Sequence, residues 1–132
     1  MIGIGVLIAL GRRLVAATLA DTGLLPAAYY RHLALAALEE EDFPQALQWL
    51  PFAEDPVLTQ LLVLRLRLLA KKHQEQQHAL VELLEQDPPE PQRQRCQEIL
   101  TQENRALELL ERYEQQGLNI LSQRNAQVTS PP

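Results

Sequence analysis

Few residues in this sequence have the type and spacing to do chemistry. Glu75 and His78 form an E-x-x-H pair. On a helix that spacing sets a carboxylate and an imidazole on one face, as di-iron bundles do. Such a centre needs a second E-x-x-H and two more glutamates. The other two histidines, His32 and His73, have no glutamate three residues before them, so the second copy is missing. A solvated turn histidine beside a glutamate is the plainer reading. His73 and His78 lie five apart and do not share a helical face. Cys96 is the only cysteine, which rules out an internal disulfide and a cysteine-based zinc site. It reads as a half-buried helix residue. The four acids at 39–42 suit a helix end facing water. The sequence holds no H-E-x-x-H, no G-x-S-x-G and no phosphate-binding glycine loop. With none of the catalytic roles filled, no catalytic residue, metal ligand or cofactor-binding residue is expected. A metal-dependent helical enzyme is a distant third among the functional readings.

Composition points to helices as the scaffold. The chain has 132 residues, 46% of them hydrophobic and only 5% aromatic, enough for one domain with a modest core. Ala and Leu, both strong helix formers, supply most of the apolar volume, so an all-α fold is expected. The nine prolines respect that reading. Pro26, Pro44, Pro51, Pro56, Pro88, Pro89 and Pro91 mark boundaries, and Pro131 and Pro132 close a tail. Net charge is −5, which argues against nucleic acid as the main partner, since such proteins usually carry a basic face.

Residues 1–20 are the ambiguous part. Residues 2–10 are wholly apolar, Gly11, Arg12 and Arg13 intervene, and 14–20 are apolar again. A spanning helix needs roughly 20 predominantly apolar residues, and each central arginine would cost about 2.5–3.5 kcal/mol. Three readings stay open: a core helix, a short anchor with both arginines at the headgroups, or a longer span shortened by a misplaced start. Gly3, Gly5 and Gly11 weaken a helix in water but are common in membrane helices.

After a break at 21–23, residues 29–56 read as two short antiparallel helices joined at Glu41 and Asp42. Tyr30, Leu33, Ala34 and Ala37 form one stripe, and Ala46, Leu47 and Leu50 the facing one. Pro44 suits a helix start, with Asp42 as its cap. Residues 57–72 then form a helix that is apolar almost all round, as expected of one sandwiched between neighbours. A polar turn is expected at 73–77, followed by a partner helix around Ala79, Leu80, Leu83 and Leu84. The stiff linker 88–91 leads to one long polar helix from Gln92 to about Gln116, with Ile99, Leu100, Ala106, Leu107, Leu110 and Tyr113 on one side and Gly117 to end it. Its apolar spacing drifts from a heptad, so packing on the domain is favoured over a coiled-coil dimer. The expected organisation is an N-terminal helix at 1–22, a helical domain at 23–122 and a disordered tail at 123–132.

Residues 29–56 resemble a tetratricopeptide (TPR) repeat. Tyr30 stands at the first large aromatic of that family, Leu33 and Ala34 at its Leu-Gly, Phe43 at the aromatic after the turn, and Ala46 and Ala53 at its small positions. Ala37 replaces a usual aromatic, and Glu41 replaces the turn glycine. The spacing of 33 residues from Ala46–Leu47 to Ala79–Leu80 is close to the 34-residue repeat, so 57–88 resembles a second, degenerate copy, with Arg67 at a small position and Gln76 at an aromatic one. The resemblance implies a short right-handed α-solenoid of TPR-like hairpins, with the long C-terminal helix as its cap. It also implies a non-enzymatic protein–protein interaction module, an adaptor or scaffold.

If the repeats align, the first helix of each lines a groove with Arg31, Leu35, Leu38, Leu64, Leu68 and Lys71. An apolar floor with basic edges suits an amphipathic helix or an acidic peptide, unless the chain's own segments fill it. No cofactor and no nucleic acid are expected, a membrane contact would run through residues 1–20, and oligomeric state is left open. A lone thiol fits the cytoplasm, at the inner face of a membrane if 1–20 is an anchor. The alternative class is a structural subunit of a larger membrane-associated complex.

Overall fold

The computed structural model of the chain describes residues 25–129. The apolar segment 1–20, and with it the choice between packed helix and anchor, lies outside the described residues. Within them the fold is all-α: α1 (Ala27–Glu39), α2 (Phe43–Ala53), α3 (Pro56–Glu85) and α4 (Gln92–Thr129). The chain divides into two compact units, Met1–Asp55 and Pro56–Pro132, described in turn.

In the first unit α1 and α2 form the expected hairpin. Tyr30, Ala34, Ala37 and Leu38 of α1 are buried, as are Phe43, Ala46, Leu47, Trp49, Leu50 and Ala53 of α2. Ala34, Ala46 and Ala53 are wholly inaccessible. Small side chains there let the large rings fit. Tyr30 stacks at a tilt on Trp49 and Phe52, with ring centroids 6.4 and 5.0 Å apart, in the range where aromatic pairs attract.

The connection explains the acidic run. Glu41 N–H donates to Leu38 O at 3.1 Å and Asp42 N–H to Ala37 O at 2.9 Å, which together make a Schellman motif. Its left-handed position is Glu41, at φ 56°, where the repeat family has glycine. Asp42 then accepts from Gln45 N–H at 3.3 Å and caps α2. Pro44 sits in the first turn of α2, where a missing N–H is harmless. Glu54, also left-handed, ends the helix.

The second unit departs from expectation. Residues 57–88 do not form a second hairpin. There is no turn at 73–77, and α3 runs unbroken for 30 residues, about 45 Å at 1.5 Å per residue. Nor does Gly117 end the last helix, since α4 continues to Thr129. It thereby takes in most of the stretch expected as a tail.

α3 and α4 lie antiparallel. Arg67 meets Glu114 at 2.6 Å, His73 meets Glu103, Gln77 donates to Asn104 at 2.6 Å, and Arg93 pairs with Asp87 beside the connection. On α3 the residues shielded from solvent include Thr59, Val63, Leu66, Ala70, His73, Gln77, Leu80 and Leu84; on α4 they include Cys96, Ile99, Glu103, Ala106, Leu110, Tyr113, Gly117 and Ile120. Both sets step by alternating threes and fours, the spacing of a coiled-coil seam. The heptad looks broken in sequence because some seam positions are polar. His73, Gln77 and Glu103 occupy them, and they find partners across the hairpin.

Gly117 has a packing role. A Cβ there would lie 2.9 Å from Val63 Cγ2 and 3.2 Å from Leu62 Cδ2. The absence of a side chain lets α4 approach α3 closely.

Candidate interaction surface

The six residues expected to line a groove are divided between the two units. On α1, Arg31 and Leu35 are exposed, Leu35 to 42%, but Leu38 is fully buried in the hairpin. Leu38 is therefore a core residue and not part of an open floor. It sits one turn beyond Ala34, on the stripe that faces α2. On α3, Leu64, Leu68 and Lys71 are all exposed.

Leu64 and Leu68 belong to a longer feature. Val57, Leu61, Leu64 and Leu68 are 73, 37, 55 and 69% exposed. At about 100° per residue their spacings of four, three and four place them within about 60° of one another. They form a narrow apolar stripe about 16 Å long. Leu58, Leu62, Val63 and Leu66, interleaved with them in sequence, are buried. Val57 and Leu61 were not among the expected groove residues. In a helix apolar on nearly every side, periodicity alone does not say which leucines stay open; the face taken by α4 decides that.

Charge is distributed unevenly around the stripe. No acid lies between Pro56 and Gln74, whereas Arg65, Arg67, Lys71 and Lys72 do. By helical geometry Arg67 and Lys71 fall on one margin, and Arg65 and Lys72 on the other. Both lysines are exposed. The next residue in line with the stripe is the exposed Glu75, so the basic border ends there.

The other chemistry-bearing residues sit apart. His78 pairs with Glu82 one turn along α3, at 3.1 Å and well exposed. Glu75 is likewise exposed on that helix, and His73 is engaged with Glu103 in the seam. Among the described residues no three or more His, Cys, Asp or Glu side chains converge as a metal site would require. A recess of about 140 Å³ beside the α1–α2 turn, lined by Leu33, Ala36, Ala37, Glu40, Asp42, Gln45 and Trp49, is smaller than ligand pockets of about 300–1,000 Å³. Cys96 is half-buried at the start of α4. Among the described residues no helix is long and apolar enough to cross a membrane.

Compared with protein-family models, with curated proteins and with solved structures, the chain matches none.

Proposed function

We propose that the chain is a non-enzymatic protein–protein interaction module, an adaptor in which a TPR-like hairpin is joined to a long helical hairpin. The observation that carries this reading is the open stripe of Val57, Leu61, Leu64 and Leu68. Contiguous exposed apolar side chains bordered by charge mark interaction sites in soluble proteins. Leu35 on α1, with Arg31 nearby, supplies a second, smaller contact on the first unit. The packing of Ala34 and Ala46 at the centre of that unit supports the repeat resemblance, and with it an adaptor role.

The test is capture by the tagged full chain after cross-linking in cells that express it. Leu35→Glu and Leu64→Glu both fall on exposed positions, so circular dichroism should show the helices intact. At least one of these changes is expected to deplete captured proteins. Undiminished capture by both variants would remove the reading. A second role, as a structural subunit held in a membrane complex through residues 1–20, is supported by the apolar run of residues 2–10. In that case deleting residues 1–20 abolishes assembly while the two leucine variants leave it untouched.

A further inference from the structure

We infer that the stripe on α3 receives a single amphipathic α-helix from another protein, one whose apolar ridge is bordered by carboxylates. This deepens the interaction reading above and rests on it. Three observations define the occupant. The first is width. Four apolar residues within about 60° of arc make a narrow ridge, the geometry of a helix–helix seam. A helix lying on a lipid surface presents a wider apolar face. The second is length. Val57 to Leu68 spans three turns, which fits a partner segment of about 11–14 residues with anchors at three- and four-residue intervals. The third is charge. Exposed Lys71 and Lys72 lie on opposite margins at the stripe's C-terminal end, and no acid stands between Pro56 and Gln74.

Charge also separates this partner from a second copy of the chain. Two α3 stripes laid parallel would set Lys71 and Lys72 against their own copies. Laid antiparallel about the midpoint of Leu61 and Leu64, they would bring Arg65 near Gln60 and Arg67 near Leu58. The same register sets Lys71 level with Glu54 but Lys72 level with Ala53, so an antiparallel copy offers an acid only at the residues just before α3, and a parallel copy offers none. A partner with Glu or Asp flanking its ridge gives Lys71 and Lys72 a carboxylate on each margin, Arg67 being already paired with Glu114, and the charge additionally steers encounter and fixes orientation.

The experiment titrates the full chain with two fluorescent 18-residue helical peptides, each carrying one leucine ridge at alternating three- and four-residue spacing. One has glutamate at the flanking positions and the other lysine. The glutamate peptide should bind, and the lysine peptide about tenfold or more weaker at low salt. Leu64→Glu with Leu68→Glu should weaken the glutamate peptide at least about tenfold, by removing the buried ridge. Lys71→Glu with Lys72→Glu should weaken it about fivefold, and added salt should narrow that gap. Equal binding of the two peptides would overturn the proposal. So would a chain that binds neither but sediments as a dimer undone by Leu64→Glu, or that binds phosphatidylglycerol vesicles through the same leucines. If neither peptide binds while cellular capture persists and falls with Leu35→Glu, the α3 partner is wrong and the interaction reading stands on α1.

Discussion

At the scale of single residues, two of the positions that hold conformations or partners their types do not favour, Glu41 and His73, yield direct tests. Glu41 adopts φ 56° at the centre of the Schellman motif, where a side chain costs about 1–2 kcal/mol that glycine avoids. Glycine loses more backbone freedom on folding, by about 0.5–1 kcal/mol. Glu41→Gly should therefore stabilise the protein by about 0.5–1 kcal/mol, read as a rise in the urea midpoint. Glu40→Gly is the control: with φ at −84° it should bring no gain. The second position is His73, whose ring meets Glu103 in the α3–α4 seam. His73→Ala leaves the carboxylate part-buried without that partner and should cost about 1–2 kcal/mol. Replacing both with leucine should be close to neutral or stabilising, as replacing both partners of a part-buried hydrogen bond by apolar groups can be. Equal losses in the single and double variants would show that the pair contributes packing alone.

At the scale of elements, legibility followed how locally each helix finds its partner. α1 and α2 meet across three residues, so Tyr30, Ala34, Ala46 and Leu50 could be read together, and Asp42 identified as a cap, from neighbouring sequence. From Gln77 back to Leu62, α3 meets α4 residues 27 to 55 positions away. Its seam includes His73 and Gln77, whose partners Glu103 and Asn104 cannot be seen in a local window. A polar run in an apolar helix imitates a turn when its partners are out of view. Gly117 misled for a similar reason. A glycine near the expected end of a helix suggests a stop, whereas here it sits inside α4 against Val63. Gly117→Leu should force the two helices apart and cost about 2–3 kcal/mol by overpacking, measured by urea unfolding. A loss below about 0.5 kcal/mol would mean that α4 approaches α3 less closely than this. The stripe is half legible: the repeat alignment includes Leu64 and Leu68, while Val57 and Leu61 emerge only once α4 has taken its side of α3.

For the whole molecule, the proposed docking face depends on α3 being one uninterrupted helix. Val57, Leu61, Leu64 and Leu68 line up in either case, since all lie within residues 57–72, but with α3 unbroken that line stays open while Thr59, Val63 and Leu66 are buried. If the chain instead turned back at 73–77, residues 79–84 would lie against that same helix and compete for its surface. The docking face thus needs α3 to continue past residue 77, which keeps residues 79–84 off that surface. The distance between spin labels at Leu64→Cys and Glu85→Cys, in a Cys96→Ser background, decides the matter. Both sites are exposed. One helix places their backbones about 31 Å apart at 1.5 Å per residue, and a distribution centred near that value is the expected result. A hairpin would bring them to about 10 Å, the spacing of packed helices, and a distribution there would contradict both α3 and the docking face.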